Sequence, residues 1–272
     1  MAALSDYTEQ NLLNHILRGV ALSAPGADNH FALFTAAPSD SGGGTEVTGG
    51  NYARKNITRA VGTFDAAASR ATQNTGAITF ATPNAGWGTV THWGMFDAGS
   101  GGNLLIHGAL TTPKTVGATD PAPSWAAGAF DFAIGDGANG GISTFLANAI
   151  LDWLFRAVAF PTLGTNGFSL HTGAPGLTGA SEVTGGAYAR SSVTRATGSW
   201  GAPGVDGAST NTNQQNFPSP SGANWGSVTH GGLWDNTAAG NFLFWFTQTT
   251  KTVNDGDAAP YIAAAAASIT LA

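Results

Sequence analysis

Two histidines, His92 and His230, stand in near-identical surroundings, Thr89-Val90-Thr91-His92 and Ser227-Val228-Thr229-His230, and each precedes an aspartate, Asp97 or Asp235, by five residues. Imidazole beside carboxylate is a pairing used for general base catalysis and for orienting a metal ligand. The spacing speaks against both uses. Each histidine lies in a strand pattern, where residues five apart face opposite sides, so the two groups cannot converge without another element. A metal site would need more ligands, yet His15, His30, His107 and His171 are not repeated in this way. The preferred reading is architectural, with each imidazole bonding neighbouring backbone beside a packed tryptophan. No cysteine is present, which excludes disulfides, thiolate ligands and a thiol nucleophile.

Glu46 and Glu182 suggest a second chemistry, the paired carboxylates of a glycosidase. Such groups must lie about 5–10 Å apart. These two occupy equivalent points of a duplicated motif, which predicts separation. Each is expected to satisfy amides of the following Thr-Gly-Gly turn or to pair with Arg54 or Arg190. Gly49-Gly50 and Gly185-Gly186 precede strands and open no helix, so they read as turn residues and not as a phosphate cradle. No G-x-S-x-G elbow, H-E-x-x-H helix, P-loop or strand-linked G-x-G-x-x-G occurs. The chain is read as non-enzymatic, with no catalytic residue, metal or cofactor assigned.

Tryptophans offer a third chemistry, the stacking of sugars. Trp87 matches Trp225 before a strand, and Trp234 matches Phe96, which is how core positions behave. Trp93 also reads as core. Trp200 and Trp245 are the least constrained and stand as candidate glycan platforms.

What positions these residues is a repeat. Glu46-Val47-Thr48-Gly49-Gly50-Asn51-Tyr52-Ala53-Arg54 returns as Glu182-Val183-Thr184-Gly185-Gly186-Ala187-Tyr188-Ala189-Arg190, an offset of 136. Trp87–His92 returns as Trp225–His230 at an offset of 138, so the drift falls in the intervening loop. Phe31–Thr35 matches Phe168–Thr172, and Lys114–Val116 matches Lys251–Val253. The period exceeds the roughly 20–50 residues of solenoids and suits an independent domain. Two homologous domains are expected, 1–135 and 136–272, divided within the glycine-dense stretch Gly135–Gly141.

Each unit opens with a helix pattern. Leu12, Leu13, Ile16, Leu17 and Val20 form one apolar stripe, with Asp6 and Glu9 as a capping box and Gly19 near the end. Ile150, Leu151, Leu154, Phe155 and Val158 form the other after Ser143, with Asp152 and Arg156 at i,i+4 and Pro161 as the stop. Its added Trp153 and Phe145 predict burial on more than one side. Short strands follow: Phe31–Thr35, Ala53–Ala60, Gly76–Thr82, Val90–Asp97, Asn103–Leu110 and Phe130–Ile134 in the first unit. Val90–Asp97 and Asn103–Leu110 read as a hairpin whose Asp and Asn ends fix the turn. The fold class is therefore all-β: two tandem β-sandwich domains, each preceded by one amphipathic N-terminal helix.

Composition narrows the function classes. Only 10% of the 272 residues are charged, against the ~25% usual in globular domains. A net charge of −6 disfavours nucleic acid as a partner. With 42% hydrophobic residues, 8 Trp and 15 Phe, the chain has the apolar content to fold. The N-terminus lacks a basic segment followed by an apolar core, and Asp152 and Arg156 interrupt the most apolar stretch, Phe145–Phe160. Neither a signal peptide nor a membrane span is expected.

Taken together, Ser5–Glu9, Ala32–Pro38, Glu46–Arg54, Trp87–Asp97, Gly101–Leu105 and Leu110–Val116 resemble a family of tailed-bacteriophage virion proteins, the tail-fibre-like or head-fibre proteins. Similar parts occur as head-spike components of gene transfer agents. The second unit departs at His171 for Phe34, Leu233-Trp234 for Met95-Phe96, and Thr250 for Pro113. The resemblance implies a structural virion component that binds capsid, collar or fibre subunits, forms a homo-oligomer and serves host attachment. It implies assembly in the host cytoplasm and release by lysis, and maps no catalytic residue. An alternative is a carbohydrate-binding adhesion module that meets host glycans through Trp200 and Trp245. The repeated Tyr52, Arg54, Trp87, His92 and Asp97, with Tyr188, Arg190, Trp225, His230 and Asp235, are read as architectural.

Overall fold

The structure, a computed structural model, describes residues 3–135 and 140–271. Residues 136–139, the middle of the expected domain boundary, lie outside the described residues. The first repeat runs β1 (Ala3–Leu4), α1 (Asp6–Arg18), β2 (Asp28–Ala36), β3 (Thr45–Glu46), β4 (Lys55–Thr58), β5 (Ala71–Gln73), β6 (Ile78–Thr79), β7 (Gly88–Phe96), β8 (Leu104–Val116), β9 (Ser124–Trp125) and β10 (Asp131–Ala133). The second runs β11 (Gly140–Ile142), α2 (Thr144–Arg156), β12 (Asn166–His171), β13 (Ser191–Val193), β14 (Ala208–Thr210), β15 (Gln215–Asn216), β16 (Gly226–Trp234), β17 (Phe242–Val253), β18 (Tyr261–Ile262) and β19 (Ser268–Thr270).

The fold is all-β, with two repeated units. One large sheet has the order β1-β8-β7-β2-β3, with β4 also on β2, and its counterpart has the order β11-β17-β16-β12-β13. Two-stranded sheets, β5–β10 and β6–β9 in the first repeat and β14–β19 and β15–β18 in the second, form the opposing layer. Phe31, Leu33 and Trp93 of the large sheet join Phe64, Phe130 and Phe132 of the other layer in the core. The hairpins β7–β8 and β16–β17 carry matching bulges, between Val90 and His92 and between Val228 and His230. There the longer strand gains residues and bends. β8 thus continues to Val116, well past the expected Leu110.

Both helices begin at a serine. Ser5 is extended (φ −86°, ψ 159°) and accepts the Thr8 N–H at 3.3 Å. Ser5, not the expected Asp6, is therefore the N-cap, because Asp6 already has helical geometry and Glu9 is turned into the interior. Ser143 caps α2 by accepting from Leu146 N–H at 3.1 Å. The helices end at Gly19 and Ala157, both left-handed (φ 66° and 53°), so α2 stops before Pro161. Val20 consequently falls beyond α1 and stands exposed.

Each helix is buried from two directions. On one side α1 meets its own repeat, where Thr8 Oγ1 donates to Leu105 O at 2.8 Å. On the other it meets the second repeat: Gln10 Nε2 donates to Gly204 O at 3.3 Å, and Arg195 Nε donates to Ile16 O at 2.9 Å. Arg195 Nη2 donates to His15 O and Nη1 to Leu163 O. The reciprocal contacts belong to α2, which holds its own sheet through Ser143 Oγ to Phe242 O at 2.5 Å. Arg59 of the first repeat donates from Nε to Leu154 O at 2.9 Å and from Nη2 to Trp153 O, while Nη1 reaches Pro25 O and Gly26 O. Ala67 N–H meets Asp152 Oδ1 at 3.0 Å and Arg70 N–H meets Asn148 Oδ1 at 2.9 Å. A helix leaves its last carbonyls without internal partners, and a guanidinium satisfies them and opposes their partial negative charge.

Candidate functional site

The repeated motif Glu-Val-Thr-Gly-Gly-x-Tyr-Ala-Arg folds into a clasp. Arg54 donates from Nε to Glu46 Oε1 at 2.9 Å and from Nη2 to Oε2 at 2.8 Å, a two-pronged pair. Tyr52 donates its hydroxyl to the same carboxylate at 3.0 Å and accepts Leu33 N–H at 2.9 Å. The third arm of Arg54 donates to Ala98 O and Gly101 O in the β7–β8 loop, and its guanidinium lies 3.6 Å from the centre of Phe96. The second repeat duplicates this with Glu182, Tyr188, Arg190, Asn236 O, Ala239 O and Trp234. Burial, the largest cause, pushes both phenols above the ordinary tyrosine range. Every polar arm is committed, and each glutamate serves its own arginine.

Trp87 and Trp225 close the clasp. Each donates its indole N–H at 2.9 Å, to Gly50 O or Gly186 O, and stands edge-on to Tyr52 or Tyr188. Gly50 has φ 56°, and a Cβ there would sit 2.9 Å from Trp87 Nε1, so both backbone sign and space require glycine.

Asp97 and Asp235 serve the hairpin turns. Asp97 accepts Asn103 N–H and Nδ2, both at 2.7 Å, and Asp235 accepts the same two groups of Asn241 at 2.6 and 2.7 Å. They bond across their own loops, in keeping with the expected turn chemistry. His92 Nδ1 lies 2.8 Å from Thr91 Oγ1, and His230 Nδ1 lies 2.7 Å from Thr229 Oγ1. The imidazole partner is therefore the preceding hydroxyl and not backbone. His230 lies beside Trp245, at 5.6 Å between centroids. Among the described residues no group of three or more His, Cys, Asp or Glu could hold a metal.

Trp200 is 0% exposed and Trp245 is 9% exposed. Neither presents a ring to solvent, which corrects the expectation of exposed platforms at these two positions. Trp200 stacks on Phe168 in the core at 5.5 Å, the place Phe64 takes beside Phe31. Trp245 is central in β17, its backbone paired with β11 and β16 on either side and its ring beside His230.

One arrangement with catalytic geometry was not anticipated. Ser169 Oγ lies 2.7 Å from His171 Nε2, and Ala180 O lies 2.7 Å from His171 Nδ1. The carbonyl can only accept, so Nδ1 carries the proton and Nε2 accepts from the serine. Ser169 in turn accepts Trp234 Nε1–H at 2.9 Å. The distances suit a nucleophile and base, but both residues are 0% exposed. A Cβ on Gly232 would come within 2.5 Å of the serine oxygen, so the space above it is filled by backbone and Phe242. The chain of bonds is an internal brace. Burial lowers the His171 pKa below the ordinary imidazole value, which keeps it neutral. His171 in place of Phe34 is a signal visible in the repeat, whereas the Ser169 partner becomes evident only through the pairing of strands.

A second missed group is Glu9, 4% exposed on α1. Burial, aided by Asp40, Asp6 and Asp206, raises its pKa to about 8. Between the repeats lies a cavity of about 380 Å³ lined by Leu4, Phe132, Ile142, Phe244, Trp245 and Ile269, with no charged side chain among its described lining. Among the described residues no helix is long and apolar enough to cross a membrane.

The geometry is one of braces and turns made twice. The model of one family, the podophage GP4 fiber I protein gp80, matches residues 3–133 and again residues 141–270. No curated protein matches the chain. The two matches span nearly its whole length, so the chain belongs to this family of phage fibre proteins and is a structural virion component built as a tandem duplication.

Proposed function

We propose, with membership of the podophage fibre family as the premise, that this chain is a non-enzymatic building part of the virion that binds other virion proteins and self-associates in the particle. The observation that carries this reading is the double family match over residues 3–133 and 141–270. The site chemistry agrees with it: the repeated charged and aromatic groups are consumed in internal clasps, and the Ser169–His171 contact is sealed. Scarce charge suits surfaces that are covered on assembly, because charged residues are depleted at interface cores. Assembly in the host cytoplasm and a share in host attachment are part of the same proposal.

The test is location. Antibody raised against the chain should label purified virions in electron micrographs at fixed sites, and the chain should co-sediment with them. Presence in the lysate with absence from purified particles overturns the proposal. Light scattering tests self-association, which a monodisperse monomer at micromolar concentration would refute. A carbohydrate-binding reading has no support from Trp200 or Trp245, whose rings are inside the protein.

A further inference from the structure

We propose that each repeat carries a receptor groove for the helix of the other, and that side-chain size in the two grooves selects the unlike repeat as the partner. The family model matches each half separately, so one repeat is the family unit. Yet neither unit is complete alone. The first repeat's core receives Phe155 of α2, whose ring lies 4.6 Å from Phe64 and 5.9 Å from Phe132. Its Arg59 caps the end of α2, and Arg195 of the second repeat caps the end of α1 in the same way. Removing either helix would expose apolar core and leave the Nε and Nη2 groups of a desolvated guanidinium without acceptors.

The selectivity lies in two matched positions. Where the first repeat has Phe64 in its groove, the second has the larger Trp200. Where α2 brings Phe155, α1 brings the smaller Leu17, and all four are buried. The groove residue enlarges as the helix residue shrinks. The second position reverses the sizes. Glu9 of α1 packs on Gly207, so closely that a Cβ there would come 2.2 Å from the carboxylate. The matching pair is Ala147 on α2 and Arg70, whose N–H bonds the adjacent Asn148. Pairing two first repeats would set Phe64 against Leu17 and would put the Cβ of Arg70 where the Glu9 carboxylate leaves room only for glycine. Pairing two second repeats would crowd Trp200 against Phe155 and leave Gly207 opposite Ala147. Underpacking and overpacking both destabilise a filled interior, so the unlike pair is favoured.

The experiment uses the full chain with residues 136–139 replaced by a protease recognition sequence. After cleavage the halves should elute together, at the position of the uncleaved chain, and their urea midpoint should rise with protein concentration more steeply than that of the uncleaved chain. Phe155→Leu should weaken the cleaved pair at least ~10-fold, as a large-to-small core change does. Adding Phe64→Trp, which copies the second groove, should recover most of that loss. Two halves that elute as separate folded monomers overturn the proposal. Halves that stay paired but show no recovery in the double variant overturn the size-matching part.

Discussion

The two repeats answer the same structural question with different chemistry. Behind the clasp, the first repeat stacks Phe34 on Phe96, with Ala32 opposite Gly94 of β7. At the same three positions the second repeat has His171, Trp234 and Ser169, joined by hydrogen bonds. An apolar stack needs only volume. A polar brace needs every donor matched, because an unmatched one costs about 1–3 kcal/mol in the interior. The second repeat therefore holds a more specific and less forgiving core, while the surrounding Glu-Tyr-Arg-Trp clasp is unchanged.

Breaking the clasp should have the largest effect. Arg190→Ala should cost about 3 kcal/mol in urea denaturation, since it leaves the partly buried Glu182 carboxylate without its two-pronged partner. Arg54→Ala should cost about 0.5–1 kcal/mol less, because a cation lies more favourably over Trp234 than over Phe96. Equal losses would mean that the aromatic contact does not distinguish the repeats.

Glu9 gives the next contrast, since its counterpart is Ala147. Its folded pKa of about 8 lies above the ordinary 4.5. The protonated carboxyl's contribution is thus full below pH 4.5 and lost as pH rises through about 8. Glu9→Gln should flatten this fall and leave the variant more stable than the parent at pH 9 by about 2 kcal/mol. A parent whose stability is level from pH 5 to 9 would contradict the assignment.

His171→Phe, which imposes the first repeat's residue on the second, should cost about 2 kcal/mol because it strands the Ser169 hydroxyl and the Ala180 carbonyl. Combining Ser169→Ala, His171→Phe and Trp234→Phe in one triple variant should recover at least half of that loss by restoring an apolar stack. The parent's neutral imidazole contributes above pH 6.5, and that contribution is lost as pH falls through its lowered folded pKa. The triple variant should lose this acid sensitivity in a pH series of denaturation curves.

The smallest contrast is in the turns. Asp97→Ala and Asp235→Ala should each cost about 1 kcal/mol, with the greater loss at the buried Asp235. Thermal melts of the two variants side by side would measure it.

Much of this architecture is legible in the sequence because short-range patterns govern it. The strand at Phe31–Thr35, the hairpin around Asp97 and Asn103, and the Glu46–Arg54 pair all follow from period, turn chemistry or a repeated motif. The expected pairing of Glu46 with Arg54 is the one found. What escapes a reading of the sequence depends on distant contacts. Trp200 and Trp245 look unconstrained there because their neighbours, Phe168 and Gly141, are remote. The two-sided burial of α2 is readable from Trp153 and Phe145, but the partner on its far side is not. Ser5 and Asp6 are both residue types that cap a helix, and only the backbone angle decides for Ser5.

The guanidinium of Arg195 on the end of α1 joins residues 179 positions apart. On a ribosome adding about 5–20 residues per second, α1 emerges tens of seconds or less before its cap exists. During that interval its apolar flank has only half its cover, and the first repeat also awaits α2. Synthesis order thus places the exposed, sticky stage early, and chaperone demand should peak before the last third of the chain is made.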